Sequence, residues 1–217
     1  MQMSEHPSPK RASAVAAAPK VDLRRLRSAR TKQRIIEAFL ELLREGNPNP
    51  RLSEIAKRAD CSIRSIHERF LTLVDLHAAA ADYATNQAVA LAPLTDADAD
   101  RQTRITKQVR TRAGTCERVL HLWRLLLAGQ SSAPVLRDKV ALARTLIGRR
   151  LETMYAPELA TLPAADRLRL LVTLEALTEF ESWGLMRERH EMSFDDACAL
   201  WIGAIDRLLP PSPEVSH

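Results

Sequence analysis

Apolar positions fall at helical spacing along most of the chain. Between Arg51 and Phe70, in RLSEIAKRADCSIRSIHERF, Leu52, Ile55, Ala56 and Ala59 form one period. After a break at Asp60 and Cys61 it resumes at Ile63, Ile66 and Phe70. The pattern predicts two short helices joined by a tight turn, with Ser53 and Ser62 where N-caps belong. A pair this short cannot bury its own stripe, so it must lean on a third helix. Ile35, Ile36, Phe39, Leu40 and Leu43 supply one over about Thr31 to Arg44, ended by Gly46 and the NPNP turn at Asn47 to Pro50. Beyond the pair, Thr72 is the expected cap of a fourth helix running through Leu76, Ala80 and Ala88 towards Pro93.

The remainder is also read as helical. LAPLTDADAD, Leu91 to Asp100, turns polar and acidic and reads as a boundary loop, with Thr95 or Asp96 as the next cap. Ile105 to Ala113 is basic and weakly periodic, with Gly114 as a break, whereas Cys116 to Gly129 is strongly apolar. Pro134 opens a further helix carrying Leu136, Val140, Leu142, Ala143, Leu146, Ile147 and Leu151, and Tyr155, Pro157 and Pro163 close that block. Ala165 to about Arg189 reads as one long helix that is apolar over most of its girth and must be covered on two sides. Ser193 with Asp196 makes a capping-box-like start to a last helix, whose seam runs from Phe194 to Leu209 before Pro210 and Pro211 stop it. Alternating runs and NG or DG turns are absent, so the fold class is all-α.

Charge divides this picture in two. Residues 1 to 80 carry 15 Lys and Arg against 9 Asp and Glu, while residues 81 to 217 carry 17 against 18, so the formal net charge of +5 belongs to the front. A basic module carrying a helix pair suits a duplex, which attracts it through counterion release. The first 24 residues, rich in Ala, Pro and Ser, lack a sustained period and are expected to be disordered. Arg24, Arg25, Arg27, Arg30 and Lys32 then form a basic run, read either as an arm for a minor groove or as a solvated tail that adds only nonspecific attraction. No apolar run approaches the roughly 18 to 20 residues of a membrane span, and no signal-peptide core is present, so a cytoplasmic protein without membrane partners is expected. Three cysteines, Cys61, Cys116 and Cys198, lie far apart without a CxxC and suggest neither a disulfide framework nor zinc.

Candidate chemistry is confined to the second helix of the pair, whose outward residues Arg64, Ser65, His67, Glu68 and Arg69 can reach phosphates and base edges. No HExxH, GxSxG, Walker or GxGxxG motif occurs, so neither an enzyme, a cofactor nor a metal is expected. The carboxylates Asp195 and Asp196, or Glu179 and Glu181, read as groups that cap, solvate or pair with arginines in preference to sharing a proton, and His121, near Trp123 and Cys116, as a core-edge residue in preference to a ligand or metal cluster.

The runs RIIEAFLELLREG (Arg34 to Gly46), SEIAKRAD (Ser53 to Asp60), CSIRSIHERF (Cys61 to Phe70) and Thr72 to Leu76 resemble the DNA-binding domain of the tetracycline-repressor (TetR) family over about residues 28 to 88. Three positions depart from it. Asp60 stands where glycine is usual but tolerates a left-handed backbone, His67 replaces a frequent tyrosine, and Leu73 replaces a frequent lysine, removing one phosphate contact. The resemblance implies a disordered basic tail over 1–27, a DNA-binding domain over 28–88 with its motif at 51–70, a helical ligand-binding and dimerisation domain over 89–209, and a tail over 210–217. It also implies a homodimeric regulator, a repressor released by a small-molecule effector, on a double-stranded operator with palindromic half-sites. Expected DNA contacts are Ser53, Ser62, Ile63, Arg64, Ser65, His67 and Arg69, with Arg30 and Lys32 from the basic run. Leu122, Trp123, Leu126, Leu146, Met154, Tyr155 and Phe180 are candidates for an effector pocket. Leu174, Leu177, Trp183, Phe194, Trp201, Ile202 and Ile205 are candidates for the dimer interface. Two other readings stay open: a ligand-independent DNA-binding activator or architectural dimer, favoured by a pocketless core, and a helical small-molecule enzyme without DNA binding.

Overall fold

A computed structural model describes residues 23–94 and 96–213. The described chain is helical throughout, without strands. Helix α1 (Leu23–Arg44) begins about two turns before the expected Thr31. The added stretch, LRRLRSAR, is rich in good helix formers and free of Gly and Pro, and the Thr31 hydroxyl bonds back to the Arg27 carbonyl at 3.0 Å instead of capping. The described part of the basic run therefore rides on a helix and is not an extended arm. The tail expected over 1–27 is helical from Leu23 onward, and its earlier residues lie outside the described chain.

The helix pair forms as α2 (Leu52–Arg58) and α3 (Ile63–His67). Arg51, not Ser53, is the N-cap of α2, and Glu54 accepts a hydrogen bond from the Arg51 amide at 2.7 Å. Ser62 caps α3 as expected, accepting from the Ser65 amide at 3.1 Å. Asp60 takes the left-handed turn conformation at φ 49°. Thr72 and Asp75 form a reciprocal capping box at the start of α4 (Leu73–Ala90). Ile35, Phe39 and Leu43 of α1, Ile55, Ile66 and Leu76 are almost fully buried together, so the three-helix core and the root of α4 are one packed unit.

The body is built on α5 (Arg101–Gly129), which runs unbroken through Gly114 and is capped by Asp100 rather than by Asp96. Thr95 lies outside the described residues. Helices α1, α4, α6 (Pro134–Met154), α9 (Phe180–Gly184) and α10 (Phe194–Leu208) all pack on α5. The inward stripe of α5 alternates apolar Ile105, Val109 and Ala113 with polar Arg104, Gln108 and Arg112, all buried, which is why its front half looks weakly periodic. Arg104 forms a bidentate pair with Glu158 of α7 (Ala156–Ala160) at 2.5 and 2.8 Å and donates to the Met154 carbonyl at 2.6 Å. Burial opposes ionisation of Glu158, but hydrogen bonds from Arg104 and Ser212 outweigh it and hold the carboxyl below its ordinary pKa.

The single helix expected from Ala165 to Arg189 is broken. Helix α8 (Ala164–Leu177) ends at Thr178, whose hydroxyl bonds back to the Leu174 carbonyl at 2.8 Å, and α9 passes into one π-helical turn at Leu185–Arg189. The break turns Phe180 and Trp183 into the core, where they stack on Trp123 and pack against Trp201. The seam of α10 also faces inward: Ala197, Cys198, Trp201 and Ile205 are at most 1% exposed. Among the described residues no helix is long and apolar enough to cross a membrane.

Candidate DNA-reading face and interior cavity

The outward side of α3 is open. The Arg64 side chain is 88% exposed and loosely paired with Glu68 one turn on, and Ile63, His67, Ser53 and Ser62 are exposed beside it. Ser65 is half-buried, its hydroxyl 3.0 Å from that of Ser62. Arg30 and Lys32 are exposed on α1, and the Lys32 ammonium lies over the Phe70 ring at 5.5 Å, which brings the basic side of α1 next to the end of the helix pair. Arg69 behaves differently from its neighbours. Only 17% of its side chain is exposed, and its guanidinium donates to the Ser65 carbonyl at 2.8 Å and to the Ser28 carbonyl at 3.4 Å. It fastens the end of the reader to α1, so its first role is to hold the reader in place. Leu71, which periodicity had not singled out, is 89% exposed just beyond the pair, with Leu73 at 43%.

The reader is anchored to the body through α4, by two neighbouring residues that point in different directions. The Tyr83 hydroxyl donates to Glu37 of α1 at 2.9 Å, and Asp82 pairs with Lys139 of α6 at 2.6 Å. Between α4, α5 and α6 lies a cavity of about 440 Å³, within the range that holds drug-sized ligands. Leu122, Trp123, Leu126, Leu146 and Phe180 line it, whereas Met154 and Tyr155 are buried in the core outside it, beside the Arg104–Glu158 pair. Ala81, Ala84 and Ala88 form its α4 wall, and Ala84 and Ala88 also border a small void against Leu40 and Arg44 of α1.

Sequence reasoning missed the polar part of this cavity: Gln108, Arg112, Lys139, Arg149 and Arg150. The readable signal was the four-residue spacing of Arg104, Gln108 and Arg112 interleaved with Ile105, Val109 and Ala113. Arg112 is 6% exposed, donates from Nε to the Thr178 carbonyl at 2.9 Å, and stacks on Phe180 at 4.1 Å. Its Nη2 is buried and meets no protein acceptor, and the same holds for Nε1 of Trp123 on the other cavity-lining ring that touches Phe180. Two unsatisfied buried donors, each costing about 1 to 3 kcal/mol, are unusual at one end of one cavity. Among the described residues no cluster of groups suited to a metal ion occurs. Cys116 is fully buried, and burial pushes its thiol up to about 11, which makes it inert packing.

The candidate interface residues divide by burial. Leu174, Trp183, Trp201 and Ile205 are closed inside the protomer, while Leu177, Phe194 and Ile202 are half-buried. The apolar side chains left open on α8 and α10 are instead Leu168 (64% exposed), Val172 (57%), Leu200 (47%) and Leu208 (42%). They recur at four-residue spacing on α8 and eight-residue spacing on α10.

Neither a protein-family model nor a curated protein matches the sequence. Solved structures do match the fold. A protein from Rhodococcus sp. assigned to the TetR family of transcriptional regulators aligns with a TM-score of 0.64 at 20% identity, covering 84% of this chain and 100% of its own. A member of the TetR family from Streptomyces coelicolor A3 aligns at 0.57 and 22%, covering 83% and 99%. The multidrug binding protein EbrR, complexed with ethidium, aligns at 0.56 and 22%, also covering 83% and 99%. With its short helix pair, the second helix capped by Ser62, its α4 link and its helical body, the chain has the fold of the TetR-family transcriptional regulators.

Proposed function

We propose that the protein is a DNA-binding transcription regulator that acts as a cytoplasmic homodimer, a repressor whose hold on a palindromic operator is released by a small molecule in the α4–α5–α6 cavity. The observation that carries this reading is the open face of α3, with Arg64 and His67 outward on a basic module of TetR fold. Arg64 is assigned to a base edge, Ile63 to an apolar base contact, Ser65 and His67 to base edges or phosphates, and Ser53, Arg30 and Lys32 to phosphates. A second copy would cover the open apolar stripe of α8 and α10 and present a second reader about one helical turn away.

Release follows from the shared wall. Ala84 and Ala88 of α4 face the cavity on one side and the α1 contact on the other. Occupancy that displaces α4 is therefore felt at the Tyr83–Glu37 tie and through it at α1. A ligand acts this way only if it favours the DNA-incompetent arrangement over the competent one. EbrR, of the same fold, binds ethidium, which supports a ligand role for such a body. A cavity of about 440 Å³ also weighs against the ligand-independent reading, which a pocketless core would have favoured.

In vitro selection from a random duplex library tests the reading. Enrichment of a two-fold symmetric site, bound by a particle of twice the 24.3 kDa chain mass, is the expected result. Failure to enrich any sequence at low salt would overturn it.

A further inference from the structure

We infer that the cavity selects organic anions: a carboxylate on an apolar skeleton, with the carboxylate held by Arg112 and the skeleton laid against Trp123, Leu126 and Ile147. The inference rests on the effector reading of the same cavity and goes further in naming the ligand's chemistry.

The wall carries four cationic side chains, Arg112, Lys139, Arg149 and Arg150, and no carboxylate. Their partners decide which charge is left over. Lys139 is matched by Asp82, and Arg149 stands exposed at the rim. Arg150 is half-buried, and its hydrogen bonds go to neutral acceptors, the Gln108 side-chain oxygen and the Ala92 carbonyl, both at 2.6 Å. Arg112 is deeper and less satisfied. Its one protein acceptor is the neutral Thr178 carbonyl, and no carboxylate lies within ion-pair distance of it among the described residues. A buried cation is normally found paired, because the charge costs heavily in a medium of low dielectric.

Geometry makes Arg112 a receptor group rather than a loose charge. Stacking on Phe180 and the Thr178 bond fix the plane of the guanidinium and leave both terminal nitrogens without a protein acceptor; Nη2 is closed off by packing, so Nη1 is the donor a ligand in the cavity reaches. The Trp123 ring stacks on the same phenyl at 4.6 Å and carries another unused donor. A carboxylate suits a guanidinium held in this way, because it accepts charge-assisted hydrogen bonds from it. Apart from Gln108, Thr85, Thr111, Thr115 and Thr153, the rest of the wall is aliphatic and aromatic, so a small inorganic anion would leave most of the apolar surface uncovered, and a cation would meet an excess of positive charge.

The test uses two skeletons, each in three charge states: 4-phenylbutyrate, its amide and 4-phenylbutylammonium, and decanoate, decanamide and decylammonium. Titration calorimetry on the full-length wild-type protein is expected to give at least tenfold tighter binding for an anion than for its own amide, with the ammonium weakest. The better skeleton tells an aromatic acid from a fatty acid. Arg112→Gln is expected to reduce the anion's advantage to less than about threefold, and Arg112→Lys to keep most of it. Ala143→Phe, which narrows the cavity from its α6 wall and leaves Arg112 unchanged, should weaken binding of both skeletons at least tenfold and places the site even if Arg112→Gln does not fold. Equal affinity across the charge states, preference for the ammonium, no binding of any probe, or an anion preference that survives Arg112→Gln would each overturn the inference. Operator affinity is measured separately. An anion that binds through Arg112 without weakening DNA binding leaves this inference standing and removes the release step.

Discussion

The reader and the body use charged side chains in opposite ways. In the three-helix reader the interior is plain aliphatic and aromatic, and arginines such as Arg64 stand outside. In the body, arginines are built into the interior: Arg104 and Arg112 are 3% and 6% exposed on the inward stripe of α5. The half-buried Arg69, tied to the Ser65 and Ser28 carbonyls, is the exception in the front half, and it shows that the satisfaction of an arginine's hydrogen bonds, more than its place in the sequence, separates a strut from an open group.

The contrast is most exposed to failure at Glu158. Glu158→Gln leaves Arg104 buried without its countercharge and should cost about 3 to 5 kcal/mol of unfolding free energy by urea titration. The folded-state pKa of Glu158 lies below its ordinary value, so its contribution is fully present above the unfolded carboxyl's pKa and is lost as pH falls through the folded one. The variant should lack that part of the acid transition. A near-neutral substitution would make the pair incidental and erase the contrast.

An intermediate effect is expected at the proposed contact between two bodies. Val172→Glu places a charge on an open apolar stripe and should raise the dimer dissociation constant by about 30-fold, roughly 2 kcal/mol, in sedimentation equilibrium, with unfolding little changed. An unmoved dimer would shift the interface off α8. In the reader, Arg64→Ala should cost about 1 to 3 kcal/mol at the selected operator in anisotropy titrations and relax one base position, while the thermal midpoint stays put because the side chain is exposed. Equal loss on scrambled DNA would reassign Arg64 to a phosphate.

The smallest effect belongs to His77, which stacks on Phe39 where α4 meets α1, with its pKa lowered by burial. Protonation is then harder in the folded state, so its share of stability is whole above the unfolded histidine's pKa and declines as pH falls below it. His77→Phe should flatten the slope of thermal midpoint against pH between about 7 and 5. An unchanged slope would show that the joint does not sense acid.

The two halves were also unequally legible. Ile55, Ile66, Phe70 and the caps at Ser62 and Thr72 obey local rules, so the reader could be drawn from spacing. The exceptions were local too: Arg51 displaced Ser53 as a cap because Glu54 was placed to bond its amide. In the body the rules misled in a consistent direction. A stripe of Arg104, Gln108 and Arg112 looks solvent-facing until Glu158 and Thr178, far along the chain, are brought against it. The seam of Trp201 and Ile205 looked like a meeting surface for two chains, yet periodicity gives the side of a helix that is covered and not what covers it. The cavity was half legible, since Trp123 and Phe180 were named while the guanidinium between helices was not.

The interruption at Thr178 therefore joins two ends of the molecule that are otherwise remote. Its carbonyl grips Arg112, and the helix it terminates carries Leu168 and Val172 outward. In the proposed dimer, a guest that draws the guanidinium inward would pull on the last turn of that helix, and the angle between twin subunits would then report what the interior holds by a route that bypasses α4.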